Sequence, residues 1–245
     1  MQKKESEPLA ITAHNNTLHA ADSFFLRRPA EPVFQREFHS DDVKMIVGDL
    51  LNVAGATTNL EDNPNKDTMV GLHARQLGYD KNVFVFWSNY KVVEDRPEGY
   101  KPTFRVIINP HITQRSKTTN DAPEGCFSID TIKSTAVPRS DSIRFSGMEV
   151  AIDEFQKTGK VTVHSIEDEE ISEPYIARIF QHEDDHGRGV RFPAIATTLN
   201  RNWNPEEQIS QEEEEKIRAL SQPLPYEEPK TFLIMRNPLK NNRES

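Results

Sequence analysis

The segment 172–189 constrains the fold of this chain most, because it predicts one helix with a buried face. The residues at its start are typical of a helix N-terminus: Ser172 supplies a capping hydroxyl, Glu173 an early acid and Pro174 a proline inside the first turn. Apolar residues then recur at helical spacing: Ile176, Ile179 and Phe180. Gly187 and Gly189 can end the helix.

This predicted helix also carries a pattern of metal-binding residues. His182 and His186 are four residues apart and therefore project from the same side, where two imidazole nitrogens can reach one ion. Glu183 follows the first histidine directly, so its carboxylate can carry a proton without binding the metal itself. Two core histidines would give the same spacing, but the capped, amphipathic helix favours a metal site.

Two histidines leave a metal ion short of protein ligands, and the third ligand can come from three places. A metzincin site would need a third histidine where this chain has Phe192, so that reading fails. A thermolysin-like site would use a later glutamate, such as Glu206, Glu207 or one of Glu212–Glu215, although charge runs usually form a solvated surface. Cys126, the single cysteine, is the better candidate because a thiolate binds iron or zinc strongly. Its alternative role is that of a small buried apolar residue.

Three ordered segments resemble the signature motifs of the peptide deformylase family. Residues 124–128 (Glu-Gly-Cys-Phe-Ser) resemble its Glu-Gly-Cys-Leu-Ser motif, and residues 181–186 (Gln-His-Glu-Asp-Asp-His) resemble its Gln-His-Glu-x-Asp-His motif. Residues 69–76 (Met-Val-Gly-Leu-His-Ala-Arg-Gln) match Gly-x-Gly-x-Ala-Ala-x-Gln imperfectly. With two supporting segments, at 26–33 and 137–139, the resemblance covers about 24–193.

The resemblance implies hydrolysis of the N-formyl group from the starting methionine of new polypeptides, with release of formate. It implies one divalent metal ion, Fe²⁺ above all, with Zn²⁺, Ni²⁺ and Co²⁺ as alternatives. Cys126, His182 and His186 would hold this ion and leave a fourth position for water. Glu183 would take a proton from the attacking water and return it to the departing amine.

The same resemblance implies roles for further residues. The side-chain amide of Gln76 and the backbone N–H of Phe127 would stabilise the oxyanion of the intermediate. Four positions would bind the substrate, as deformylases bind an extended peptide: Val70, Gly71, Gly125 and Arg139.

Met69 and His73 depart from the family pattern by placing bulk where a glycine and an alanine are usual. Two alternatives therefore stay open: a metallohydrolase acting on another N-acyl group or on a peptide bond, and a noncatalytic peptide-binding relative. We expect His73 to lie on the surface or behind the ligands, and not to bind the metal.

The fold class expected is α+β, with antiparallel or mixed strands packed around a central helix that carries His-Glu-x-x-His. A helix is predicted from Asp41 to Ala54, capped by Ser40 or Asp41, and the cysteine motif should lie on or beside a strand. The predicted strands are 83–87, 104–108, 143–145, 148–152 and 161–166. The expected division is a tail (1–23), a catalytic domain (24–195) and a C-terminal extension (196–245) with an acidic helix from Asn204 to Leu220.

Composition adds a few exclusions. A net charge of −9 argues against nonspecific nucleic-acid binding, and no specific nucleic acid is expected. One cysteine excludes an internal disulfide. No apolar run has membrane-spanning length, and residues 1–23 lack the apolar core of a secretory signal. We expect a cytoplasmic protein that meets formylmethionyl peptides, with transient contact to the ribosome as a further option; organelle import and oligomeric state stay open.

Overall fold

A computed structural model describes residues 24–57, 70–91, 95, 97, 100–201, 206, 207 and 209–224. Within these ranges the strands are β1 (Gly71–His73), β2 (Val83–Trp87), β3 (Phe104–Arg115), β4 (Thr119–Cys126), β5 (Ile129–Ser140), β6 (Ile143–Val150), β7 (Val163–Ile171) and β8 (Asn200–Arg201). The helices are α1 (Asp41–Thr57), α2 (Ile152–Thr158), α3 (Pro174–Gly187) and α4 (Gln211–Ser221). The predicted α+β class is confirmed.

The strands form two sheets whose recorded pairings are all antiparallel. The larger sheet has the order β1-β2-β3-β6-β7, and the smaller one has the order β4-β5-β8. α3 contacts strands of both sheets, so the helix predicted to carry the metal ligands lies at the centre of the described fold.

β2 shows how the core is divided, because its side chains alternate between the two faces of the larger sheet. Val83 and Val85 pack in a cluster with α1. Phe84 and Phe86 point the other way and pack on Phe180 of α3, with ring centroids 4.9 and 5.5 Å away. A strand with apolar residues on both faces is therefore covered by a helix on each side.

α3 begins and ends close to the predicted positions. Pro174 is its first residue, but the cap is the Glu173 carboxylate, which accepts the Ile176 N–H at 2.7 Å, and not the expected Ser172 hydroxyl. The helix ends at Gly187, and Gly189 then adopts a left-handed conformation with φ of 74°. A Cβ at Gly189 would lie 2.5 Å from the carbonyl oxygen of Arg27, so the N-terminal segment passes directly over this turn.

Four strand predictions need correction. The predicted strands 143–145 and 148–152 are one strand, β6, which ends at Val150. Ile152 begins α2 instead, where Asp153 and Glu154 supply the acidic residues that favour a helix start. The strand predicted over 161–166 starts at Val163 and runs to Ile171, and the one predicted over 104–108 continues to Arg115.

The predicted C-terminal helix starts later than expected. α4 begins at Gln211, where the Ser210 hydroxyl caps it by accepting the Glu213 N–H at 3.2 Å. Glu206 and Glu207 lie in a turn and a bend before it, while positions 204 and 205 lie outside the described residues, as do the tail 1–23 and most of the loop 57–67. Helix α1, in contrast, has the predicted Ser40 cap and continues three residues beyond the predicted end.

α4 packs back on the core. Arg218 donates to the carbonyl oxygens of Pro193 and Ala196, at 2.9 and 2.6 Å. Ile209 and Ile217 join an apolar cluster with residues of the smaller sheet: Cys126, Ile129, Ile132 and Val137. Across the described residues, no helix has the length and apolar character needed to cross a membrane.

Candidate active site

Cys126, His182 and His186 meet between the smaller sheet and α3. Cys126 is the last residue of β4 and pairs with Ile129, so the two enclose the two-residue turn Phe127–Ser128. Its Sγ lies 3.3 Å from Nε2 of His186. Ligand atoms from all three side chains lie within 4.8 Å of one another, and all three residues are buried or nearly so.

The donor set fits a metal ion. Sulfur and nitrogen ligands of one tetrahedral zinc ion lie about 3.6 Å apart, close to the Cys126–His186 separation. The Nδ1 of His182 lies 2.9 Å from a carboxylate oxygen of Glu124, which can only accept, so Nδ1 carries the proton and Nε2 keeps its lone pair for a metal. One thiolate and two imidazoles suit iron, zinc, nickel or cobalt.

The alternative glutamate ligands lie elsewhere. Arg201 pairs with Glu213 and Arg218 pairs with Glu214 on the outer part of α4. The group of potential metal ligands found within the described ranges is Cys126 with the two histidines. A thermolysin-like arrangement is therefore not supported.

Glu124 accepts a hydrogen bond from His182 and is itself held by two arginines. Arg139 donates to both of its oxygens, at 2.9 Å each, and Arg178 donates to Oε1 at 2.8 Å. Burial opposes ionisation of Glu124, but the charge and hydrogen bonds of Arg139 and the hydrogen bond of His182 outweigh it and hold the pKa well below its usual range. The carboxylate is thus fixed in its charged form.

Glu183 is the titratable group best placed for proton transfer. Its side chain is buried, and its Oε2 has no hydrogen-bond partner among the described residues. Burial raises the pKa of Glu183 to about 7, which is suitable for accepting and returning a proton at neutral pH. The carboxylate lies against β1: a Cβ at Gly71 would be 2.5 Å from its Oε1.

Gln76 reaches the site from a short 3-10 turn, Ala74–Leu77. Its Oε1 accepts the backbone N–H of His73 at 2.9 Å, which fixes the orientation of the amide. The Nε2 group then faces Ser128 Oγ at 3.3 Å and Cys126 Sγ at 3.6 Å. A hydrogen-bond donor is therefore held beside the Cys126 sulfur.

His73 lies behind the ligands and is fully buried. Its Nδ1 accepts the Arg75 N–H at 3.1 Å, and its Nε2 contacts the Asn82 side-chain oxygen at 3.2 Å, which identifies the neutral Nε2–H tautomer. Burial lowers the pKa of His73 to about 3, so the ring stays uncharged. Its centroid is 6.5 Å from that of His186, and it does not join the ligand group.

The positions predicted to bind a peptide backbone border the same site. Gly71 pairs with Phe86, and the carbonyl of Val70 accepts the Trp87 N–H at 2.8 Å. β1 is an edge of the larger sheet, so its other side faces away from β2. Gly125 lies where β4 departs from regular pairing, between Glu124 and Cys126. Met69 lies outside the described residues.

Arg139, predicted to bind substrate, is buried and donates to Glu124 and Asp185. These contacts fit a role in holding Glu124 better than a role in touching a peptide. Glu124 and Arg178 had no predicted role from the sequence. The position of Arg178, four residues before His182, places both side chains on one face of the helix but does not identify its contacts.

The chain is similar to known proteins over most of its length. A family model described as polypeptide deformylase matches residues 16–202. Peptide deformylase 2 of Ralstonia nicotianae is 28% identical over 168 residues, 69% of this chain and 79% of the relative. The solved peptide deformylase from Ehrlichia chaffeensis has a TM-score of 0.52 at 20% identity, covering 83% of this chain and 92% of its own. The solved structure of a class I type b peptide deformylase from Acinetobacter baumannii with bound Met-Ala-Ser has a TM-score of 0.50 at 22% identity. It covers 72% of this chain and 95% of its own.

Proposed function

The chain belongs to the polypeptide deformylase family, and from this premise we propose that it is a metal-dependent hydrolase that removes the N-formyl group from the starting methionine of nascent polypeptides. The products would be formate and a free amino terminus. The observation that carries the proposal is the convergence of Cys126, His182 and His186 beside the buried carboxylate of Glu183.

Cys126, His182 and His186 would hold the metal ion, with Fe²⁺ as the ion expected in the cell. When bound, the metal supplies Lewis acidity and lowers the pKa of water, as it does in other hydrolases with three protein ligands. Glu124 keeps the His182 ring in the tautomer that leaves Nε2 available.

Glu183 would act as the general base and then as the general acid. A carboxyl group with a pKa near 7 can take a proton from the attacking water and give it to the amine that leaves. Its uncommitted Oε2 is available for this transfer. Because the group is buried, its proton exchange is directed to the reacting atoms and not to bulk water.

Gln76 and the backbone N–H of Phe127 would stabilise the oxyanion that forms on the formyl oxygen. The Gln76 amide is already oriented by the His73 N–H, which lowers the reorganisation needed during the reaction. Phe127 belongs to the tight turn after Cys126, which brings its backbone next to the ligand sulfur.

The free edge of β1 would receive the peptide as an added strand, through the backbone of Val70 and Gly71 on one side and Gly125 on the other. Gly71 allows the peptide and Glu183 to approach the same point, because a side chain there would occupy the space of the carboxylate. Recognition through the backbone suits substrates of varied sequence.

The decisive experiment is a formate-release assay with formyl-Met-Ala-Ser, on protein purified anaerobically and analysed for its metal content. We expect formate from this peptide and no product from acetyl-Met-Ala-Ser or from unblocked Met-Ala-Ser. Activity on only the latter two would establish a different hydrolase, and activity on none with metal bound would favour a binding protein.

Glu183→Gln provides the matched control, since it keeps the size of the side chain and removes its basicity. Formate release should fall by about 10²–10⁴-fold while metal content is unchanged. Unchanged hydrolysis would remove Glu183 from the mechanism.

A further inference from the structure

Arg178 is a buried arginine that joins the helix bearing the histidines to the hairpin bearing the cysteine. It lies one helical turn before His182, and its side chain is only 3% exposed. We propose that Arg178 is a positioning residue that holds the metal ligands at their mutual distances and thereby sets the affinity of the site for its metal ion. The inference rests on the proposed metal site and not on the identity of the hydrolysed bond.

The first part of the argument is the carboxylate that Arg178 shares with His182. Nη1 of Arg178 donates to Oε1 of Glu124 at 2.8 Å, while Oε2 of the same carboxylate accepts from Nδ1 of His182 at 2.9 Å. Arg178 therefore acts on a ligand through one intermediate group. Partners of this kind orient ligating imidazoles and raise their basicity.

The second part is the contact of Arg178 with the main chain of both hairpin strands. Nη1 also donates to the carbonyl oxygen of Val137 in β5 at 2.7 Å, and Nη2 donates to that of Asn120 in β4 at 2.9 Å. β4 ends at Cys126, so the guanidinium fixes the strand that presents the sulfur against the helix that presents the imidazoles. A lysine has one nitrogen and could not reach these acceptors together.

The third part is charge, which indicates that the site can lose Arg178 without collapse. Glu124 would still be paired with Arg139, which binds both of its oxygens, and Arg139 would still be paired with Asp185. Removing Arg178 therefore loosens the arrangement without leaving a buried carboxylate unpaired. The expected effect is on ligand geometry more than on folding.

The test compares Arg178→Met and Arg178→Lys with the wild type and with Arg105→Met. Arg105 makes a matched control, because it bridges Glu149 and Glu169 on the larger sheet and touches none of the ligands. Co²⁺ affinity is measured by competition with a chelator, together with the visible absorption of the Co²⁺-loaded protein. We expect Arg178→Met to bind Co²⁺ about 10–100-fold more weakly, with an altered spectrum, and Arg178→Lys to fall between it and the wild type.

A folded Arg178→Met protein with the affinity and spectrum of Arg105→Met would overturn the proposal. Should Arg178→Met fail to fold, Arg178→Lys decides: wild-type affinity and spectrum reject the role, and weaker binding with an altered spectrum supports it. A wild-type protein that takes up no Co²⁺ would refute the metal site and this inference with it. Co²⁺ binding without formate release would overturn only deformylation, and the positioning role would stand.

Discussion

At the scale of single residues, the site depends on a carboxylate that is kept out of water. Glu183 lies on the central helix next to His182, a proposed metal ligand, and its pKa is raised by burial. The space that it occupies exists because residue 71 has no side chain. Gly71 therefore has a role that does not depend on its backbone conformation: its missing Cβ makes room for the proposed base.

We predict that Gly71→Ala will lower kcat for formate release by about 10²-fold or more, since a shift of the carboxylate by an ångström misplaces the proton transfer. The added Cβ would lie within 2.9 Å of three side-chain atoms of Glu183 and push them aside. The measurement is steady-state kinetics with circular dichroism to confirm folding. Gly48→Ala is the control, because its Cβ would meet only Phe155, at an ordinary 3.8 Å. Equal activity of the two variants would contradict this account of Gly71.

At the scale of elements, two helices end in the same way but in different surroundings. Gly159 follows α2 with φ of 68°, and Gly189 follows α3 with φ of 74°. A Cβ at Gly159 would meet no atom within 4 Å, whereas one at Gly189 would lie 2.5 Å from a backbone oxygen of Arg27. The end of the helix that carries the two histidines is thus fitted against the N-terminal segment.

Comparing Gly159 and Gly189 separates the backbone strain of a left-handed conformation from steric crowding by neighbouring atoms. We predict that Gly159→Ala will cost about 1–2 kcal/mol of unfolding free energy, from the left-handed conformation alone. Gly189→Ala should lose the same amount and a further ~1–3 kcal/mol, because rigid backbone would have to move. Urea unfolding of both variants tests this. Equal losses of unfolding free energy would show that the N-terminal segment moves aside at no cost.

The elements that could be predicted from sequence are those with a local signal. β2 was predicted to the residue because it is an unbroken apolar run. α3 was predicted closely because of its apolar spacing and flanking signals. The bounds of β4 and β5 were not predicted, although the cysteine motif was expected on or beside a strand: β4 contains Pro123 and four polar residues among its eight, and its pairing partners lie up to 21 residues away. For the same reason the three proposed ligands could be named from short motifs, whereas Arg178 could not be, since its contacts join distant segments.

At the scale of the whole molecule, the described residues beyond position 195 are part of the packing around the site. Leu199 and Ile209 are buried with Cys126 and Phe192 in one apolar cluster. The N-terminal segment joins them, because Arg27 contacts the backbone of Gln222 and Leu224. Both ends of the described chain thus meet near the C-terminal end of the helix that carries the histidines.

We predict that Ile209→Ala will lower the unfolding free energy by about 2 kcal/mol, the lower end for a buried isoleucine, since Ile209 is at the margin of its cluster. Unfolding should remain a single transition, because the cluster includes the cysteine strand. Thermal and urea unfolding monitored by tryptophan fluorescence would measure both. Met45→Ala, at a half-exposed position, is the control expected to stay within about 0.5 kcal/mol of the wild type. No loss from Ile209→Ala would show that these residues fold apart from the core.

Cys126 is both a proposed metal ligand and a member of an apolar cluster, and this has a consequence for oxidative damage. Conversion of a thiol to a sulfinic acid removes a soft ligand and places a charged, bulkier group at the same point. Here Cys126 also belongs to the apolar cluster that includes Ile209, just before α4. Peroxide would therefore act on more than catalysis: a lesion at one atom should also loosen the C-terminal helix and expose it to proteases.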